Sequence, residues 1–276
     1  MKFKIVADSS SCIFDVEDCN YYSSVPLKII SNKEYVDTKE LNVRQMVDEL
    51  KVYKGKTGSS CPNCAEWVEA FGDADGVFAI TITSRLSGSY DAACMAKKEY
   101  EEAHPGAKVK VIDSLSAGPQ LKMLVDKIVE LINEGKDYDI ICTEIDEYFP
   151  HAQLLFSLQS VDNLAKNGRV NPVIAMAVNA LGIRIVGIAL DGRLEQLHKV
   201  RGEKKAMNAL YEEMKARKFT GSKVLIGHCF NKPAVELLSS HIKADHPECH
   251  IEEIPLGGLC SFYAEEGGLM VGFEVE

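Results

Sequence analysis

The apolar positions of the first 150 residues alternate between two periods. Short runs rich in β-branched residues predict strands, and apolar residues at i, i+3, i+4 and i+7 predict amphipathic helices. The predicted strands and extended segments are 3–7, 21–30, 34–36, 77–83 and 108–112. The predicted helices are 43–52, 62–71, a helix ending near Glu102, 121–132 and 137–149. This alternation predicts a parallel sheet covered by helices, in three layers.

The pattern changes after Pro150. Apolar runs predict strands at 154–159, 183–189, 194–200, 224–228, 251–254 and 269–274. Helical patterns follow at 162–166, 203–217 and 233–242, and the almost entirely apolar stretch 172–181 predicts a helix that is buried or faces an apolar cavity. Asp191-Gly192 between two of the strands predicts a hairpin, hence a mixed or antiparallel sheet. We therefore expect an α/β protein with two domains, 1–150 and 151–276.

The amino-acid composition argues against several classes of function. A formal net charge of -10 argues against non-specific nucleic-acid binding and against an anionic membrane as the resting place. The start, MKFKIVADSSS, has too short an apolar run for a signal peptide, and no apolar run reaches transmembrane length. Nine irregularly spaced cysteines do not resemble a disulfide framework, so we expect a cytoplasmic protein with reduced thiols.

The common cofactor motifs are absent from the sequence. Neither GxGxxG nor GxxxxGK[ST] occurs, so no nucleotide site of the usual kinds is indicated. GxSxG does not occur either. The seven histidines form no HExxH motif, and we expect no metal site.

Hydroxyl-rich turns follow three of the predicted parallel strands, at 8–11, 84–89 and 113–114. Ligands of such sheets bind outside the carboxyl ends of the strands. A strand, a glycine turn and a helix also aim free N–H groups at an anion, so we expect a bound carboxylate or phosphate near Ser84 to Ser89. The alternative is structural: Ser87 or Ser89 only caps the helix, and serine, aspartate and glycine are simply good turn formers.

The segment from 54 to 64 carries a second candidate. Residues 54–60 are polar and predict a loop, after which Pro62 falls in the first turn of a helix with Ser60 ahead of it. Cys61-Pro62-Asn63-Cys64 is a CxxC at a helix start, where a thiol redox pair would gain reactivity. The polar residues ahead of it are not the buried strand of a thioredoxin-like site, so coincidence is the alternative.

Taken together, several segments resemble the DegV family of bacterial fatty-acid-binding proteins, in order and from end to end. The most specific match is Thr83-Ser84-Arg85-Leu86-Ser87-Gly88-Ser89-Tyr90, which is similar to the family's Leu-Ser-Gly turn. Further matches are IVADSSS at the start, Ser59-Ser60-Cys61-Pro62, Val111-Ile112-Asp113-Ser114, the segment from Asp162 to Arg169, and Asp191-Gly192 followed by Lys199-Val200-Arg201-Gly202.

The resemblance implies two α/β domains with a lipid site between them. It implies a carrier, not an enzyme, that holds one long-chain fatty acid and presents it to a separate fatty acid kinase for acyl phosphate formation. No cofactor, nucleic acid or stable membrane insertion is implied. Carried over by motif, the carboxylate ligands are Ser59 or Ser60, together with Ser84, Ser87 and the N–H of Gly88. We expect 172–181 and the side chains of Leu86, Leu115 and Phe156 to line the tunnel.

The sequence departs from the family near its carboxyl end. The family commonly has His-x-Gly-Pro-Gly before the last strand, where this chain has Tyr263-Ala264-Glu265-Glu266-Gly267. Tyr263 retains a hydroxyl donor for the carboxylate, whereas Glu265 and Glu266 would repel it unless they face solvent. Two functions from other classes remain open: a serine-dependent hydrolase or acyltransferase that uses Ser84 or Ser87, and a thiol redox protein that uses Cys61 and Cys64.

Overall fold

The predicted parallel sheet is present in the computed structural model, which describes residues 1–17, 19–170 and 182–276. The strands of the first half are β1 (Phe3–Asp8), β2 (Tyr22–Val25), β3 (Lys28–Ile30), β4 (Glu34–Val36), β5 (Gly58–Ser60), β6 (Gly76–Thr81) and β7 (Lys108–Asp113). Its helices are α1 (Val43–Val52), α2 (Cys64–Phe71), α3 (Ser89–Ala103), α4 (Pro119–Asn133) and α5 (Tyr138–Tyr148). Strands β2, β1, β6 and β7 form the sheet in that order, all parallel.

Alternation along β6 explains the three layers. Val77 and Ala79 pack with residues of α2 and α3 in one apolar cluster. Phe78 and Ile80 point to the opposite face and pack with residues of α4 and α5 in another. Because both faces of the strand are covered, its residues are all buried, as expected for a central parallel strand. The α/β three-layer prediction is confirmed.

The second half contains a larger, mixed sheet. Its strands are β8 (Ala152–Leu158), β9 (Ile183–Leu190), β10 (Arg193–Arg201), β11 (Phe219–His228), β12 (His250–Pro255) and β13 (Leu269–Val275). Its helices are α6 (Asp162–Lys166), α7 (Glu203–Ala216), α8 (Lys232–Asp245) and α9 (Gly258–Ala264). The strand order is β10-β9-β8-β13-β11-β12, in which β11 and β12 pair in parallel and the other pairs are antiparallel.

The two faces of this sheet serve different purposes. Helices α7 and α8 cover one face with an apolar core. The other face contributes Leu154, Phe156 and Leu158 to a cluster shared with residues of the first half. The four strands of the parallel sheet all precede Pro150, and the six strands of the mixed sheet all follow it. This supports the division into 1–150 and 151–276, which stays a prediction. The predicted apolar helix at 172–181 lies outside the described residues.

Two local predictions were wrong. Residues 58–60 are not loop but strand β5, which pairs antiparallel with β3. Pro62 lies outside helix α2, whose N-cap is Asn63: its side chain accepts from the N–H of Glu66, and the Glu66 carboxylate accepts from the N–H of Asn63. This capping box, and not Ser60, begins the helix.

Candidate functional site

A cavity of about 290 Å³ lies where the two halves of the chain meet. Most of its wall is apolar and comes from both halves, including Leu27, Ile82, Leu115, Leu154, Phe156 and Leu194. The polar groups in the wall include Ser59, Ser60, Ser87, Arg169 and Tyr263. Its size is close to the lower end, roughly 300 Å³, of typical small-molecule sites. The wall is suited to an amphipathic ligand.

Five of the six predicted site residues line this cavity: Ser59, Ser60, Ser87, Gly88 and Tyr263. Ser84 is not part of the wall. Its N–H donates to the Asp113 carboxylate at 3.1 Å, which ties the turn after β6 to the turn after β7. Leu86, Leu115 and Phe156, the predicted apolar lining, are all in the wall.

The turn that carries Ser87 is held from behind by Asp8. The Asp8 carboxylate accepts from the N–H of Ile82 at 2.8 Å and from the hydroxyl of Ser89 at 2.6 Å. Burial raises the pKa of Asp8, and hydrogen bonds from Ser10, Ser89 and Ile82 act in the opposite direction. Asp8 therefore fixes both ends of the turn between β6 and α3.

The prediction that residues 8–11 contribute directly to the binding site was wrong. Ser9, Ser10 and Ser11 are buried in a short 3₁₀ turn after β1, and none of them lines the cavity. Their hydroxyls bond within the protein; that of Ser9, for example, donates to Asp37 at 2.9 Å. These side chains support the site from the layer beneath it.

Helix α3 begins at the cavity wall. Its N-cap is Gly88, which has no side chain to accept from the first turn. The Ser89 hydroxyl is occupied by Asp8, and the Ser87 hydroxyl accepts from the Ser89 N–H at 3.2 Å. Neither serine is therefore the N-cap residue, although Ser87 accepts from the first N–H of the helix. An N-cap without a side chain leaves the other N–H groups of the first turn without a capping acceptor, which favours a bound anion there.

A hydroxyl pair from two other elements lies in the same cavity wall. The oxygens of Ser59, on β5, and Tyr263, on α9, lie 2.7 Å apart. One of the two hydroxyls donates its proton to the other. The hydroxyl that accepts keeps its own proton, which it can donate to a ligand oxygen. Strand β5 and helix α9, neither of which the sequence pattern predicted, thus position two of the predicted site residues.

Helix α9 depends on a carboxylate from the first half. Asp37, fully buried, accepts from the N–H groups of Gly258 at 2.6 Å and Leu259 at 2.9 Å, and from Ser9. Burial raises the pKa of Asp37 to about 6, against the lowering effect of these three bonds. The partners are far apart in the sequence, which is why no local pattern indicated this helix.

The hairpin between β9 and β10 closes the cavity beside the turn. The Thr83 hydroxyl donates to the carbonyl oxygen of Gly192 at 2.9 Å. Gly192 has a φ of +78°, and a Cβ there would lie 2.5 Å from Thr83 Oγ1 and 2.7 Å from Arg85 Cγ. Only glycine fits this turn and this contact.

Two arginines add positive charge to the wall. Arg169 follows α6 and Arg193 begins β10, and both line the cavity. The sequence indicated Arg169 only as part of a family-like segment, and it did not indicate Arg193. No Asp, Glu or His is among the described residues that line the cavity. The electrostatics of the wall therefore favour an anionic group.

Comparison with known proteins agrees with this geometry. A family model described as "Uncharacterised protein, DegV family" matches residues 2–276. The chain belongs to the DegV family. A DegV domain-containing protein of Streptococcus gordonii is 41% identical over 280 residues, and the match covers 100% of both chains.

Solved DegV structures have the same fold. One is the Streptococcus pneumoniae Fatty Acid Kinase (Fak) B3 protein loaded with linoleic acid, with 38% identity, a TM-score of 0.98 and full coverage of both chains. Another is a DegV family protein from Eubacterium eligens loaded with heptadecanoic acid, with 38% identity and a TM-score of 0.97, covering 99% of this chain and 100% of that chain.

The two glutamates by which this DegV chain departs from the family pattern are not part of the cavity wall. Glu265 accepts from the N–H of Asn163 at 3.0 Å, and burial raises its pKa. Glu266 pairs with Arg44 and with Lys51, each at 2.8 Å. Neither glutamate lines the cavity, so neither opposes an anion in it.

The structure gives little support to the two other functions, a serine-dependent enzyme and a thiol redox protein. Ser87 has no histidine or carboxylate beside it among the described residues of the cavity wall, so a serine nucleophile would lack a base. Cys64 donates to Glu99 at 3.4 Å, and burial together with that carboxylate raises the pKa of Cys64.

Across the described ranges, no three His, Cys, Asp or Glu side chains are grouped to hold a metal ion. No described helix is both long and apolar enough to cross a membrane.

Proposed function

We propose that this protein binds one long-chain fatty acid in the cavity, without chemistry of its own, and presents the carboxylate to a separate fatty acid kinase. The observation that carries the proposal is a mostly apolar cavity whose wall also includes the polar groups of Ser59, Ser87, Gly88 and Tyr263. The two fatty-acid-loaded relatives support the same class of ligand.

The apolar wall supplies most of the affinity in this proposal. A buried methylene contributes about 0.8 kcal/mol, so a long acyl chain dominates over its single carboxylate. The carboxylate accepts from Ser87 and from the N–H of Gly88, at the start of α3, where charge-assisted bonds are strong. Tyr263 or Ser59 supplies a further proton, and Ser60 lies next to them on β5.

Presentation to a kinase rests on different grounds. The name Fatty Acid Kinase B3 of one relative supports a kinase partner. An acyl phosphate forms when a carboxylate oxygen attacks the terminal phosphoryl group of ATP and ADP leaves. The sequence contains neither of the usual nucleotide-binding motifs. We therefore assign ATP binding to the partner. All nine cysteines, which lie in the described ranges, are free thiols, which supports a cytoplasmic setting.

Ligand identity can be tested directly. Organic extraction of the purified protein followed by mass spectrometry should yield a fatty acid in near-stoichiometric amount. Delipidated protein should bind palmitic acid again in calorimetry. A protein that contains no lipid and does not bind added fatty acid would refute the proposal.

The carboxylate site can be tested by substitution. Ser87→Ala and Tyr263→Phe each remove a hydroxyl from the cavity wall, and a hydrogen bond to a charged group contributes about 1.5–3 kcal/mol. We expect each variant to bind palmitic acid on the order of tenfold to a hundredfold more weakly. Ser240→Ala, at an exposed position of α8, is the matched control and should bind like the parent. Unchanged affinity in both site variants would place the carboxylate elsewhere.

The kinase step has its own readout. With a fatty acid kinase, ATP and hydroxylamine, the loaded protein should give an acyl hydroxamate, the trapped form of an acyl phosphate. Omission of this protein should abolish the product. Equal product without it would refute presentation and leave fatty-acid binding intact.

A further inference from the structure

A second, much smaller cavity lies behind the wall of the main one. Its volume is about 10 Å³. Ile185 and Gln196 line the second cavity and not the first. The residues that line both cavities, which we call the shared wall, are Phe156, Leu158, Leu164 and Leu194.

The second cavity lies farther than the first from the turn that carries Ser87. The tip of the β9–β10 hairpin, at Gly192, contacts Thr83 in the turn that leads to Ser87. Going back along β9 from this tip, Ala189 lines the main cavity and Ile185 lines the second. Four residues of a strand span about 13 Å. An acyl chain with its carboxylate at the turn therefore points its tail at the shared wall.

Phe156 has the largest side chain in the shared wall, and its position is tightly defined. It pairs with Gly187 across β8 and β9, and its ring lies against the Gly187 backbone. A Cβ at Gly187 would lie 2.3 Å from Phe156 Cζ and 2.7 Å from Cε2. The absence of a side chain at Gly187 lets the ring lie against the strand, and Phe156 is 5% exposed.

We propose that Phe156 limits the length of the acyl chain that this protein accepts, with the methyl end of the ligand against its ring. When the ring is removed, a longer or bent tail extends past its position into the second cavity. The inference rests on the proposed fatty-acid function and adds the residue that determines chain selection.

The test measures the affinity of delipidated Phe156→Ala for myristic, palmitic, stearic and arachidic acid by calorimetry. Truncation of the ring merges the two cavities, and each methylene that becomes buried raises affinity roughly fourfold. We expect the ratio of arachidic to palmitic affinity to rise on the order of tenfold or more over the parent protein. Ile185→Phe, added to Phe156→Ala, refills the second cavity and should restore the parental order.

Controls separate this effect from loss of stability. Phe156→Leu keeps an apolar wall and should shift the order in the same direction by less, which keeps the test valid if the alanine variant does not fold. Phe273→Leu, a buried phenylalanine in the core on the opposite face of the sheet, should leave the order unchanged. If the parent binds palmitic acid and both Phe156 variants keep its order, Phe156 does not set chain length. If the parent binds none of the acids, the proposed function itself fails.

Discussion

Asp37→Ala tests how the cavity wall is held together. In the folded protein Asp37 accepts from two N–H groups at the start of α9 and from the Ser9 hydroxyl, in a fully buried setting. Alanine leaves all three donors without that acceptor. The variant should therefore lose stability, and α9, which carries Tyr263, should lose its anchor.

The magnitude follows from two opposed effects. An orphaned buried donor costs about 2 kcal/mol, so three cost about 6 kcal/mol. Removal of the buried charge offsets part of this loss: a rise in the pKa of Asp37 from 3.8 to about 6 corresponds to about 3 kcal/mol at neutral pH. We expect the free energy of unfolding to fall by about 3 kcal/mol, measured by urea denaturation near pH 7.

The control is Asp137→Ala, which removes an exposed cap that accepts from the N–H of Ile140 at 2.9 Å. Loss of such a cap costs about 1 kcal/mol. Because the folded pKa of Asp37 lies above its unfolded value, protonation stabilises the fold fully below about pH 4, and this stabilisation is lost as pH rises through about 6. The gap between parent and Asp37→Ala should therefore widen on acidification. A cost no larger than that of Asp137→Ala, or a gap that narrows, would refute the reasoning.

Three further substitutions test other supports of the site. Ser89→Ala removes the hydroxyl that anchors the turn; we expect a loss of about 1–2 kcal/mol in urea denaturation and several-fold weaker palmitic acid binding. Unchanged binding would show that the turn keeps its shape without this bond. Gly192→Ala places a Cβ 2.5 Å from Thr83 Oγ1 and should lower the thermal midpoint more than Gly135→Ala, which has a similar φ of +77° and nothing within 4 Å. Equal losses would assign the effect to backbone strain alone. Glu266→Gln weakens two solvent-screened ion pairs, so its small effect on the thermal midpoint should vanish at high salt while ligand affinity is unchanged.

Local patterns predicted most of the fold because the physics behind those elements is local. Helix 43–52 was predicted with the observed bounds, since its apolar spacing defines one buried face. Asp191-Gly192 specified a hairpin because both residues adopt the positive φ that such a turn requires, +49° and +78°.

The failures at β5, at α9 and at residues 8–11 share a non-local cause. Strand β5 is three residues long, Gly-Ser-Ser, and forms only because β3 offers a partner edge. Helix α9 has seven residues and a cap from Asp37. For the site, the hydroxyl-rich turns indicated the right edge of the sheet. They could not indicate that residues 8–11 lie beneath it, because burial is decided by what packs above.

The bond between Asp37 and the start of α9 joins residues 221 positions apart. The entropy of closing this loop must be lost before the contact stabilises the fold, which slows folding. The cavity wall is therefore completed only after nearly the whole chain has been made and arranged. A nascent or truncated chain would expose an apolar surface in place of a binding site, and a ligand that fills the finished cavity would slow its reopening.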